Sequence, residues 1–262
     1  MARLHSEVTS MNREAHSPSI FSFSQCLRLL LGLVLVFGLF HGTASILASD
    51  RGQAGLFIGA LVVTATLVVE RVLFRKRAAV AVRTLGLGPP RAIGFIAAFA
   101  IGSLLLFVIF MFVHVRSASF AFFPGWFSLV GGLFAQAGVA EETLFRGYLF
   151  GQVRLGRAFW RAAVLSMLPF VAVHLFLFLT MSWPLALASV LLAVVISFPL
   201  AHLFELGGRT IWAPAILHFV IQGAVKVVIV SDGGDALFPL VWMLASALLP
   251  LLVLFVARPE SA

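Results

Sequence analysis

From Leu29 to Ala257 the formal charges are so sparse that they cut the chain into apolar runs of the length a lipid bilayer demands. A helix needs about 20 apolar residues to cross a hydrocarbon core ~30 Å thick. Such runs cover residues 29–49, 52–69 and 92–115, and a fourth ends in the cluster Glu141–Arg146. The charge-free stretch 162–204 is long enough for two more, with Ser182-Trp183-Pro184 as the turn between them. A seventh runs from Ile211 to about Val230 and the last covers residues 236–257. The predicted fold class is therefore all-α, a polytopic transmembrane helical bundle of about eight spans. Composition points the same way. Of 262 residues 61% are hydrophobic and 11% charged, against about 45–50% and about 25% in soluble domains. The single cysteine, Cys26, excludes an internal disulfide framework and a Cys-rich metal site.

The links set the orientation. Arg71, Arg75, Lys76, Arg77, Arg83 and Arg91 lie between spans two and three, Arg154, Arg157 and Arg161 between four and five, and Arg209 between six and seven. These share one side with Arg3, Arg13, Arg28 and Arg258, while the other side holds Arg51, Arg116, Asp50, Asp232 and Asp235. The positive-inside rule then makes both termini cytoplasmic. The net charge of +8 reports this bias and not a nucleic-acid partner. Residues 1–26 form a polar tail, disordered or surface-lying; 27–257 form a single transmembrane domain with its core at about 126–230, and 258–262 a second tail. Residues 29–49 exceed the 7–15-residue apolar core of a signal peptide and are expected to be a retained anchor. The expected location is a bacterial cytoplasmic membrane, with membrane lipid as the surrounding partner. Gly38-x3-Gly42, Gly55-x3-Gly59 and Gly147-x3-Gly151 have the spacing of close-packing helix faces, a spacing that also arises by chance in a Gly-rich chain. Nothing encodes the oligomeric state.

Function is sought where a costly residue is tolerated. A charge at mid-bilayer costs roughly 2.5–3.5 kcal/mol on the lenient insertion scale and faces a protein interior or a water-filled cavity. Span four carries Glu141, Glu142 and Arg146, span five His174, and span seven His218 and Gln222. Glu141 precedes Arg154, and His174 follows Arg161, by thirteen residues each, or roughly 20 Å of helix. His218 lies nine residues past Arg209, or roughly 14 Å. One carboxylate and two imidazoles thus reach similar depth. Glu142 and Arg146, four apart, share a helix face in the favourable order for an ion pair, and Glu141 points about 100° away from Glu142. One carboxylate can be held by the arginine while the other faces a cavity as a base. His218 and Gln222 share a face and can together donate to an oxyanion. Phe170 and His174 share another, and Pro169 leaves the carbonyl of Leu165 without its helical donor.

Glu141-Glu142-x3-Arg146, Phe170-x3-His174 and His218-x3-Gln222 resemble, in order, the motifs of the CAAX-protease and bacteriocin-processing family of intramembrane endopeptidases, which includes the type II CAAX prenyl endopeptidases. Ile211-Trp212-Ala213-Pro214 resembles the approach to the third motif. The resemblance implies a glutamate-dependent peptide hydrolase acting on a membrane-associated or lipidated peptide or protein. In it Glu141 is the general base, His174 helps hold the attacking water, His218 and Gln222 stabilise the oxyanion, and Glu142 and Arg146 organise the helix. The family usually has Asn, sometimes Asp, where this chain has Gln222, one methylene longer. It also implies a metal-free reaction without cofactor. Zinc on Glu141, His174 and His218 is the competing arrangement, although no H-E-x-x-H helix occurs.

Two other function classes compete: a catalytically silent binding or immunity protein of the same fold, and a transporter using Glu141, Glu142 and Arg146 as a relay. The second lacks a broken-helix pair at matching positions in two halves. His114 and His202 lie near span ends and are expected at the interface. His41, thirteen residues past Arg28, reaches the depth of the site and is a further candidate. Lys226 is expected to snorkel or to pair with a neighbouring Asp. The many phenylalanines and tryptophans are expected to pack against lipid and anchor at the interface. Arg75-Lys76-Arg77 reads as an orientation signal and a lipid head-group contact.

Overall fold

The computed structural model describes residues 22–47, 52–231 and 237–258. Most of the polar tail and the outer-loop residues Asp50, Arg51, Asp232 and Asp235 lie outside the described residues. The helices are α1 (Phe23–Ile46), α2 (Gln53–Leu73), the short α3 (Ala78–Thr84) and α4 (Ala92–Arg116). Next comes α5, a continuous run over 126–153 built from Trp126–Leu133, two wide π-type stretches, Phe134–Ala140 and Thr143–Phe150, and a last turn, Gly151–Val153. Then follow α6 (Phe159–His174, tightening to a 3-10 turn over Leu175–Leu179), α7 (Trp183–Leu206), α8 (Trp212–Val227) and α9 (Leu237–Leu248, continued by Leu249–Phe255). Six of these are long and apolar enough to cross a membrane, and α8 is apolar but shorter. With α5, and with α3 left aside, eight helical runs lie among the described residues, as the charge spacing predicts.

Three boundaries differ from the sequence expectation, each for a local reason. Helix α1 begins inside the expected tail, because Ser22 and Gln25 form a reciprocal cap: Gln25 N–H donates to Ser22 Oγ at 3.2 Å and Ser22 N–H to Gln25 Oε1 at 2.9 Å. Span four does not end at Arg146 but runs on to Val153. Charges mark a span end only when they are solvated, and here Glu142 and Arg146 neutralise each other inside the bundle. The seventh span stops at Val227, where the β-branched run Val228-Ile229-Val230 turns into strand β2 (Val228–Ser231). This strand pairs antiparallel with β1 (Ser119–Phe122), Ser119 opposite Ser231 and Phe122 opposite Val228. Among the described residues the regular structure is thus helical except for one short ribbon, at the end of the bundle away from the arginine-rich links.

Helix α8 packs against α4, α5 and α7, and α5 also packs on α2. The α2–α5 contact is made by backbone. A Cβ on Gly55 would fall 2.4 Å from the carbonyl oxygen of Gly132, and one on Gly59 would fall 2.8 Å from that of Ala135. Gly147 likewise faces the Leu85 carbonyl, whereas Gly38 and Gly42 have open space. Of the three glycine spacings, the one on α1 is not a packing face.

At the arginine-rich end, backbone bonds fix where α8 starts. Ile211 N–H donates to Gly86 O at 3.0 Å, Trp212 Nε1–H to Gly88 O at 2.9 Å, and Arg91 N–H to Gly207 O at 3.0 Å. Gly86 holds a positive φ of 71°, and a Cβ there would meet Arg209 O at 2.8 Å. Lys76, expected at lipid head groups, turns inward to the buried Glu70 at 2.7 Å, and Gln152 Nε2 donates to the other oxygen of that carboxylate at 2.8 Å. His202, expected at the interface, is buried with its Nε2 2.9 Å from Val256 O.

The glycine contact generates a prediction. Gly55→Ala forces a methyl against backbone that cannot move aside, and should cost about 1–3 kcal/mol as overpacking does. Gly38→Ala should leave stability unchanged or raise it slightly. Thermal unfolding of the two variants in detergent, beside wild type, compares them directly.

Candidate active site

Each sequence motif places two side chains one helical turn apart, and the bundle turns the three pairs toward one another. On α5, Arg146 Nη1 donates to Glu142 Oε1 at 2.9 Å, with both side chains almost completely buried. The same oxygen meets His218 Nδ1 of α8 at 2.5 Å. A carboxylate only accepts, so the proton of this contact lies on Nδ1 and His218 Nε2 is left as an acceptor. Gln222, one turn further along α8, directs its amide Nε2 to that nitrogen at 2.7 Å. Lys226 Nζ in turn lies 3.5 Å from Gln222 Oε1; Asp232 and Asp235, the neighbouring acids, lie outside the described residues.

Phe170 of α6 fills the centre. Its ring lies 4.3 Å from the Arg146 guanidinium carbon, and its centroid is 4.9 Å from Phe145, 4.7 Å from His174 and 6.2 Å from His218. A desolvated guanidinium over an aromatic face gains up to about 2 kcal/mol, so the apolar partner of the second motif steadies the charged partner of the first. His174 directs Nδ1 to the carbonyl of Phe170 at 2.7 Å, which makes Nδ1 its donor and frees Nε2. Despite Pro169, α6 remains helical through His174.

These groups divide into a buried support and an accessible face. Glu142, Arg146, Phe170 and His218 are buried. Glu141, His174 and Gln222 line a cavity of about 430 Å³, walled further by Phe37 and His41 of α1, Ile196 of α7 and Trp242 of α9. Glu141 Oε2 lies 3.7 Å from His218 Nε2, too far for a direct hydrogen bond. The two glutamates therefore diverge as their helical phase predicts, one to the interior and one to the cavity. All six sequence candidates meet in one place, and His41, stacked between Phe37 and Phe176, joins the cavity wall. Trp242, unlike the lipid-facing and interfacial positions expected of the tryptophans as a class, is buried and donates Nε1–H to Ile221 O at 3.1 Å, beside Gln222. No motif or periodicity in the sequence distinguishes it.

The shared carboxylate oxygen generates the second prediction. Removing one partner of a buried ion pair costs about 3–5 kcal/mol, because the other is left uncompensated. Glu142→Leu and Arg146→Leu should each destabilise by about that much, and the double variant by less than the sum. A double-mutant cycle on unfolding free energies in detergent measures the coupling.

Residues 123–224 match the family described as Type II CAAX prenyl endopeptidase Rce1-like. Neither a curated protein nor a solved structure gives a significant match to the chain. The matched stretch contains all six polar site residues, together with α5, α6, α7 and most of α8. The match to this protease family thus falls on the segment that builds the site, less than half of the chain.

Proposed function

We propose that this chain is an intramembrane endopeptidase in which Glu141 activates a water molecule to cleave a peptide bond in a membrane-associated or lipidated substrate. The observation that carries this reading is the convergence of Glu141, His174 and Gln222, from three helices, on one cavity, backed by a buried lattice that fixes His218. The family of the matched segment supports hydrolysis of peptides.

In this mechanism the water sits between the Glu141 carboxylate and His174 Nε2. Glu141 takes one proton from it as the oxygen attacks the substrate carbonyl carbon, and the carbonyl oxygen gains the negative charge. Gln222 keeps a second amide hydrogen for that oxyanion, and His218, whose Nε2 accepts the first, holds the amide in place. Collapse of the tetrahedral intermediate breaks the C–N bond, and the proton held by Glu141 passes to the departing amine. The added methylene of Gln222 lets its amide fold back over His218 and still reach the cavity. Arg146 and Glu142 position these groups and touch no substrate.

The reading is metal-free, and the donor set supports it. Both His218 nitrogens are engaged, by Glu142 and by Gln222. The enzyme is placed in a bacterial cytoplasmic membrane, with lipid around it and a peptide or membrane protein as substrate.

A general base contributes about 10²–10⁴-fold in rate, so Glu141→Gln should reduce cleavage by at least that range while the protein stays folded, and His174→Ala should also abolish it. The measurement is a comparison of new protein N-termini in membranes containing wild type or Glu141→Gln at matched levels. Termini present only with wild type establish proteolysis. Identical profiles with a retained biological effect would instead select the silent binding or immunity protein. Adding a strong zinc chelator should leave the wild-type profile unchanged.

A further inference from the structure

We infer that the cavity opens on the extracytoplasmic side of the membrane and takes peptide segments presented there, at or just within the outer leaflet; the word substrate here rests on the endopeptidase reading above. The first observation is depth. Glu141, His174, Gln222 and His41 each lie thirteen residues along their helices from Arg154, Arg161, Arg209 and Arg28 respectively. At about 1.5 Å per residue of α-helix that places His174 and His41 roughly 20 Å from the arginine-rich face, beyond the middle of a ~30 Å core, and Glu141 and Gln222 line the same cavity beside them.

The second observation is where the cavity's walls end. Thr180 and Met181, both exposed, belong to the turn joining α6 to α7, and Lys226 belongs to the last turn of α8. Trp242 and Met243 come from the first half of α9. Every one of these lies at or toward the end of the bundle opposite the arginine-rich links, and no lining residue comes from those links. Toward the arginines Leu144, Tyr148, Phe150, Leu200 and Phe204 are fully buried, and the separate cavity of about 570 Å³ at that end, among Arg83, Thr84, Gly151 and Arg209, shares no lining residue with the site.

The third observation fixes which end is which. The arginine-rich ends are tied into one surface, since Arg154 and Arg258 both reach Glu205, at 2.6 and 3.6 Å, and Arg209 Nη2–H donates to Gly151 O at 3.2 Å. Among the described residues the opposite end has Arg116 as the last residue of α4, with Lys226 in the last turn of α8. So strong an excess of Lys and Arg in short links assigns that face to the cytoplasm. The mouth at Thr180 and Met181 then faces outward. The substrate class is an exported or membrane-anchored polypeptide whose cleavable segment has already crossed, and not a tail offered from the cytoplasm.

The test uses the full chain in intact cells and a membrane-impermeant maleimide. T180C and, separately, M181C are made in a C26S background, while the wild-type protein reports on Cys26, which is exposed near the start of α1 on the arginine-rich side. The expected result is that T180C and M181C label as fully in intact cells as after permeabilisation, and that Cys26 labels only after permeabilisation. The reverse pattern, or labelling of both introduced thiols only after permeabilisation, overturns the inference. This readout needs no catalysis, so it stands apart from the Glu141→Gln comparison. Glu141-dependent N-termini that map to extracytoplasmic segments support the inference further. Termini that map to cytoplasmic segments overturn it and leave the protease reading intact.

Discussion

One oxygen atom, Glu142 Oε1, takes both Arg146 Nη1 and His218 Nδ1, and the geometry of the site depends on that sharing. An arginine in the middle of an apolar bundle needs a carboxylate, because an unpaired buried charge costs several kcal/mol. The same carboxylate sets which nitrogen of His218 carries the proton, and that decides what the imidazole offers Gln222 on its other side. A pair that looks purely structural on α5 thereby reaches across to α8 and determines the chemistry at the cavity edge. Phe170 completes the link by placing its ring against the arginine and both histidines.

The backbone supports this arrangement through contacts that leave little room for adjustment. Helix α5 lies on α2 with glycine against carbonyl at Gly55 and Gly132, so the helix bearing both glutamates cannot slide without opening that seam. Low dielectric makes the polar contacts it carries stronger when satisfied and more costly when broken. The site is accordingly built in two depths. Four buried groups hold one another, and three more exposed ones, Glu141, His174 and Gln222, line the cavity.

Much of this was legible in the sequence, because in a membrane each polar residue carries a cost and therefore a reason. The pairs Glu142/Arg146, Phe170/His174 and His218/Gln222 follow from helical spacing alone, and the matching depths from the distance to the nearest arginine. The failures also have physical causes. Lys76 sits in a basic run that resembles a head-group contact, yet Glu70, six residues earlier, draws it inward. Span four seemed to end at its charges because mutual neutralisation of Glu142 and Arg146 cannot be seen from a list of formal charges. The ribbon Ser119–Phe122 with Val228–Ser231 joins segments more than a hundred residues apart, and no local pattern announces that pairing. Trp242 is indistinguishable from the lipid-facing aromatics until α9 is packed on α8.

The backbone bonds that pin the start of α8, from Ile211 and Trp212 to Gly86 and Gly88, make that helix a lever with a fixed fulcrum. Any small tilt displaces a side chain in proportion to its distance from the pinned end. His218 lies six residues from Trp212 and Lys226 fourteen, or roughly 9 and 21 Å along the axis. The imidazole that must keep an ångström-level register with Glu142 therefore moves by less than half as much as the lysine at the far end. Rigidity is concentrated where the buried bonds have one geometry, and compliance at the cavity wall near Lys226, where the proposed peptide substrate would enter.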